Sequence, residues 1–144
     1  MTLGLADGRR IRVAPLICYD AVDARNAARA VRDGAELIMT LSNDSWLAGG
    51  DGARLHFLVS VFRSIETRRP QVRATTTGIS AVITPAGDVV ASAAVHERAG
   101  LVASVTPVRG VLPLAVRWGD WLGPVGLVIA ALLLLAPRPA QAAR

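Results

Sequence analysis

The sequence predicts an α/β fold followed by one C-terminal transmembrane helix. Three observations carry that expectation. A strand–helix–strand order occupies residues 11–41, a second β-rich stretch with a hairpin signal occupies 71–106, and an uncharged apolar run, "WLGPVGLVIAALLLLA", occupies 121–136. Strands separated by a helical crossover pair in parallel, which places the first part in a sheet covered by helices.

The elements follow in chain order. Gly8 and Arg9-Arg10 precede a short β-type run, Ile11 to Ile17, which ends at Cys18. Ala24 to Asp33 reads as a helix with Arg25, Arg29 and Arg32 on one stripe, expected to be a solvated face, and Gly34 closes it at the C′ position. "ELIMTL", 36–41, reads as a buried strand, and the polar, Gly-rich "SNDSWLAGGDG" as the loop after it. Ala53 to Thr67 is the strongest helix: Leu55, Leu58, Val59, Phe62 and Ile65 share one arc, which Val61 widens. Arg68 and Arg69 stand at its end, where the macrodipole favours cations, and Pro70 stops it. Glu66 falls inside the apolar arc, where a carboxylate needs a partner. A buried structural ion pair, Glu66 with Arg73 (or with Arg69), and a catalytic acid are the two readings. Gln71 to Thr75, Ile79 to Thr84 and Val89 to Ala93 read as strands, with Pro85-Ala86-Gly87-Asp88 as a hairpin turn. Leu101 to Thr106 reads as one more strand.

The apolar run of 16 residues would span about 24 Å as a helix, against a hydrocarbon core of about 30 Å. Trp118 and Trp121 supply an interfacial aromatic pair on one side and Arg138 a cation on the other. A buried core helix is the alternative. Position favours a span, because the run follows a completed β segment and ends in a Pro-Arg-Pro tail. Flanking charge does not orient it, since Arg109 and Arg117 balance Arg138 and Arg144. The polar N-terminus, with Asp7, Arg9 and Arg10, is not a signal peptide.

Composition narrows the chemistry. The net charge is +5, from 16 basic residues that are all Arg, with no Lys. Nucleic-acid binding is not expected, because no Arg cluster has stacking aromatics beside it and only six residues are aromatic. One Cys excludes an intrachain disulfide and a cysteine-based zinc cage. His56 and His96 stand 40 residues apart without ligand spacing, so no metal site and no cofactor are expected. No mechanism that needs a lysine can be completed within these 144 residues.

A lone Cys after an apolar run is often a packing residue. Here the strand ends at the thiol, where α/β folds place their sites. Two further polar segments, Asn43-Asp44-Ser45-Trp46 and Arg73-Ala74-Thr75-Thr76-Thr77-Gly78, are expected to converge on it.

"LICYD", "LSNDSWLAGG" and "HFLVSVFRSIETRRPQVRATTTGISAVITPAGDVV" together resemble the second half of the nitrilase-type domain of the apolipoprotein N-acyltransferase family, within the carbon–nitrogen hydrolase superfamily. "RWGDWLG" and the apolar run resemble that family's last linker and final membrane helix. The resemblance implies a partial nitrilase-type α-β-β-α sandwich over 1–108, a linker over 109–120, a transmembrane helix over 121–137 and a tail over 138–144. It implies Cys18 as nucleophile, taking an acyl chain from a phospholipid as a thioester and passing it to the N-terminal amine of an apolipoprotein. Tyr19, whose N–H follows the nucleophile, and Asp20, Asn43 and Trp46 would support the site. Asp20 stands where the family usually has Glu, Leu47 where it has Phe, and Thr76 where it has Asn.

A thiol near neutral pH needs a base and a cation to become thiolate. The family's Glu base and Lys lie upstream of the cysteine, and this chain has no Lys and no Glu before Glu36. The resemblance therefore implies a part that is inactive alone: a truncation, a mis-assigned start, or one half of a split enzyme whose separate chain carries the missing Glu and Lys. It implies a bacterial inner-membrane location with the catalytic domain facing the periplasm. The competing readings are a fragment of a soluble nitrilase-like amidase and a non-catalytic membrane-anchored remnant.

Overall fold

The computed structural model describes residues 1–47 and 51–135. The tail at 138–144 and the last two residues of the expected span lie outside them.

Six strands form one sheet in the order β1 (Thr2–Gly4), β2 (Arg10–Ile17), β3 (Leu37–Ser42), β4 (Gln71–Thr75), β5 (Ser80–Ile83) and β6 (Val89–Ala93). The middle strands β2, β3 and β4 are parallel, and β1, β5 and β6 extend the sheet antiparallel on either side. Helices α1 (Ala24–Arg32) and α2 (Gly52–Thr67) make the β2–β3 and β3–β4 crossovers. Two short helices follow the sheet, α3 (Leu114–Trp118) and α4 (Leu122–Leu135).

Local chemistry explains the boundaries. Asp23 caps α1 by accepting from the Arg25 N–H. Gly34, at φ +94°, turns the chain out of α1, and its N–H donates to the Val31 carbonyl. α2 ends on Arg68 in the left-handed conformation. Buried Arg69 then donates to the carbonyls of Ala35, Thr67, Arg68 and Val111, satisfying groups that the end of α2 and its neighbours leave open.

The period-2 alternation of β2 sorts its side chains between the two sheet faces. Ala14 and Leu16 join Ala27, Ala28, Val31, Ile38 and Val116 in the core under α1. Ile11 and Val13 join Leu37 on the opposite face, with Leu3, Leu5, Met39, Val72 and Val105 against them. No helix covers that second face among the described residues, and Ile17 and Leu41, paired across β2 and β3, stay about half exposed on it.

Two expectations change. Residues 101–106 form no strand; the segment runs irregularly, Val105 packs on the second face, and the Val108 N–H donates to the Glu36 carbonyl. The apolar arc of α2 does not face the sheet. His56, Ser60, Arg63, Ser64 and Thr67 are buried there, whereas Leu55 is 60% and Phe62 55% exposed. The expected span is not shown: α4 has 14 residues, and among the described residues no helix is long and apolar enough to cross a membrane. No residue of α4 is buried, so α4 does not pack as a core helix. The stretch expected to be a linker contains α3, whose Val116 is fully buried against α1.

Candidate active site

Strand β2 delivers Cys18 to its C-terminal end, and the backbone there turns sharply. Cys18 has φ +50°, in the left-handed region that L-residues seldom occupy. It opens a 3-10 turn, Cys18–Ala21, that the Asp20 carboxylate braces by accepting the Ile17 N–H at 3.0 Å. Asp20 thus points back at its own turn and shapes the presentation of the thiol. A strained strand-to-turn junction carrying a nucleophilic side chain is a recurrent way to hold that side chain clear of the sheet.

The loop after β3 meets this turn. The Cys18 Sγ lies 4.0 Å from the Asn43 carbonyl oxygen, and Asn43 Oδ1 accepts the Ser45 N–H at 3.1 Å, which tightens the loop. The Tyr19 ring sits 6.2 Å from Trp46 and 6.3 Å from His56. Cys18 is half-buried, whereas Tyr19 and Trp46 are largely exposed, so the thiol stands beside an accessible aromatic pair. The five residues expected at the site, Cys18, Tyr19, Asp20, Asn43 and Trp46, are therefore together at one end of the parallel strands.

Beneath them lies a buried ionic network. Asp44, 2% exposed, accepts from the Ser42 hydroxyl at 2.5 Å and from Arg73 Nη2 at 2.8 Å, and its Oδ1 is 3.0 Å from His56 Nδ1. Arg73 Nη2 also lies 3.3 Å from His56 Nδ1, so this ring nitrogen stands between a carboxylate and a guanidinium. Burial pushes the Asp44 carboxyl up, but the Ser42 hydroxyl, the Arg73 charge and His56 outweigh it and hold it below the usual carboxylate range. Burial lowers the Arg73 guanidinium from its ordinary value, opposed by Asp44 and, more weakly, by Cys18. Arg73 Nε also donates to the Ile79 carbonyl, tying the third polar segment in. Gly78 permits this approach, since a Cβ there would overlap the Asp44 carboxylate. Among the described residues His56 Nε2, Arg73 Nη1 and Thr77 Oγ1 are buried without a protein partner.

The expected Glu66–Arg73 pair does not form. Glu66 is held by Arg63 Nη2 at 3.0 Å, one helical turn away, and Arg73 by Asp44. Burial raises the Glu66 carboxyl, with Arg63 opposing. Asp44 and His56 lie within segments that the sequence marks, but neither is among the site residues the sequence predicts. The available signal was the inward arc of α2, where a His, two Ser, an Arg and a Thr recur at helical spacing opposite the apolar stripe. Among the described residues no three His, Cys, Asp or Glu side chains are grouped to hold a metal ion.

Comparison with known proteins identifies the family. The profile of the Carbon-nitrogen hydrolase family matches residues 2–109. Apolipoprotein N-acyltransferase of Azotobacter vinelandii is 33% identical over 140 residues, 96% of this chain and 27% of that protein. The enzyme of the same name from Coxiella burnetii is 34% identical over 86% of this chain and 25% of its own. The chain thus spans about a quarter of the length of these curated relatives. Among solved structures, a carbon-nitrogen hydrolase from Helicobacter pylori superposes with a TM-score of 0.53 at 16% identity, covering 61% of this chain and 38% of that one. An amidase from Nesterenkonia sp. superposes with a TM-score of 0.53 at 18% identity, over 90% of this chain and 46% of that one. At such identities the likeness is one of fold, a mixed α/β, nitrilase-type arrangement around the six-stranded sheet.

Proposed function

The chain belongs to the carbon–nitrogen hydrolase family, and from that premise we propose that it is the nucleophile-bearing C-terminal part of an apolipoprotein N-acyltransferase. The observation that carries the reading is the left-handed Cys18 at the end of β2, beside the exposed Tyr19–Trp46 pair and above the Asp44–His56–Arg73 network. Cys18, as thiolate, attacks the ester carbonyl of a phospholipid. The sulfur–acyl bond forms, the glycerol oxygen leaves and takes up a proton, and the acyl chain stays on Cys18. The amine at the N-terminus of an apolipoprotein then attacks the thioester, the nitrogen–acyl bond forms as the sulfur–acyl bond breaks, and the amine's proton goes to the departing sulfur. The Tyr19 N–H, as the amide following the nucleophile, serves the oxyanion. Asp20 and Asn43 hold the turn and the loop that aim the thiol, and Tyr19 and Trp46 offer apolar surface to an acyl chain.

The base and the lysine of this chemistry come from outside these residues, on an upstream segment or a separate chain. The bare second face of the sheet supports this, because Ile17 and Leu41 stand uncovered where a facing layer of a sandwich would pack. Residues 1–108 form the catalytic part, 109–120 the connection, and 121–137 a membrane anchor whose tail, 138–144, faces the cytoplasm while the domain faces the periplasm. Support for the anchor is α4, apolar throughout and without a buried residue, which a soluble amidase has no reason to carry.

The test uses purified 1–144 and a phospholipid with a fluorescent acyl chain. The isolated chain should accumulate no labelled Cys18 thioester. Co-expression with the upstream half of a relative should restore labelling, and Cys18→Ala should abolish it. Turnover by the isolated chain, lost in Cys18→Ala, would overturn the need for outside groups. Absence of labelling in the reconstituted pair would overturn the acyltransferase reading.

A further inference from the structure

The stripe Arg25, Arg29 and Arg32 does not simply face solvent. It lines a cleft of about 500 Å³ together with Glu66 of α2 and with Gly119 and Asp120 at the junction of α3 and α4. Arg32 Nε donates to the Val116 carbonyl at 2.6 Å, which fastens α3 to α1 and holds the cleft in shape. The charges in the cleft are unevenly committed. Arg25 is paired with Asp23, Glu66 with Arg63, and Asp120 Oδ1 accepts the Gly123 N–H at the start of α4. Among the described residues Arg29 has no hydrogen-bond or ion-pair partner, and Arg32 spends only its Nε. Two guanidinium groups are left to meet an anion.

The same junction carries Trp118 and Trp121, packed edge to face at 6.0 Å, with Arg117 beside them, and the wholly exposed apolar helix α4 begins at once. Along this corner the order is apolar helix, indole pair, then arginines. A bilayer has the same order from hydrocarbon through interface to phosphate. A zwitterionic headgroup would bring an ammonium toward an excess of arginine, whereas an anionic one would not.

We infer that the α1–α3 cleft is a binding site for the phosphate of an anionic membrane phospholipid, held by Arg29 and Arg32. The inference takes its orientation from the proposed membrane anchorage of α4, but the site is distinct from the one around Cys18. It would seat the domain at a set tilt on the membrane surface.

Flotation of the purified full chain with vesicles tests it. Vesicles of phosphatidylcholine alone report insertion of α4, and vesicles with one third phosphatidylglycerol report the cleft. The anionic lipid should tighten binding about 25-fold, from about fivefold for each of the two engaged arginines. The Arg29→Gln/Arg32→Gln double variant should lose that increment and keep phosphatidylcholine binding. Arg32→Lys, which gives up the bond to Val116 but keeps the charge, should retain most of it. Arg54→Gln/Arg98→Gln, on exposed positions elsewhere, should retain all of it. Equal loss in the two double variants, or no increment in the unaltered chain, would overturn the site. Failure to float with phosphatidylcholine, with an Arg29- and Arg32-dependent increment still present, would instead remove the anchorage and leave the site standing.

Discussion

Helices α1 and α2 lie on the same face of the same sheet, yet they obey opposite rules. In α1 the small apolar residues Ala27, Ala28 and Val31 are buried and the arginines point away, as amphipathic periodicity predicts. In α2 the apolar arc is turned outward and the polar arc inward. The difference lies in what the sheet presents. Under α1 it offers Ala14, Leu16 and Ile38. Under α2 it offers Thr40, Gln71 and Arg73, and Gln71 Nε2 donates to Thr40 and Ser60 hydroxyls at 2.7 and 2.6 Å. Buried polar groups must be hydrogen-bonded, and only the polar arc of α2 can answer them. A helix's apolar stripe marks where a nonpolar neighbour is wanted, and for α2 that neighbour is not the sheet.

The comparison can be broken most severely at Asp44. Asp44→Ala leaves Arg73 charged and buried without its partner, a loss of about 3–5 kcal/mol measured by urea unfolding. Replacing both residues, Asp44→Leu with Arg73→Met, should cost less than Asp44→Ala alone, because no orphan charge remains. A cost equal to the sum of the single changes would show that the pair does not act as a unit.

The same carboxylate sets an acid limit. Its folded-state pKa lies below the unfolded value, so its contribution is complete above about pH 4 and is lost as pH falls through the unfolded and then the folded value. Thermal melts should therefore fall more steeply below about pH 4 in the unaltered chain than in Asp44→Asn. Parallel profiles would assign acid sensitivity to other groups.

Smaller effects separate the two helices themselves. Gly78→Ala forces the Asp44 loop aside and should cost about 1–3 kcal/mol, while also loosening the Asn43 carbonyl's approach to Cys18. Val31→Ala, in the orthodox core under α1, should cost about 2 kcal/mol from lost burial and the cavity left behind. Leu58→Ser or Phe62→Ser, on the outward arc of α2, should change stability by no more than about 0.5 kcal/mol in the isolated chain. A large loss at Phe62 would mean that another layer already covers α2 in solution.

Much of this molecule is legible along the chain, because its elements announce themselves through local chemistry. Period-2 runs bounded by turn residues locate β2 through β6, and period-3.6 runs closed by Gly34 and Pro70 locate α1 and α2. The crossover order makes β2, β3 and β4 parallel and puts Cys18 at the end of a strand beside the Asn43 loop. The short strand β1 carries too few residues to show a period, and the run 101–106 has a strand's composition but packs Val105 on the sheet's second face instead of pairing along an edge.

Other features were decided only in three dimensions, because each is a choice between partners that are distant in sequence. Glu66 had arginines available on either side, and helical spacing gave it Arg63, while Arg73 was drawn across the sheet to Asp44. The inward face of α2 depended on side chains of β3 and β4. The cleft beneath Arg29 and Arg32 exists because α3, more than eighty residues downstream, is fastened to α1 through the Val116 carbonyl. Periodicity records what each segment can bury; which groups meet depends on how the segments close around one another.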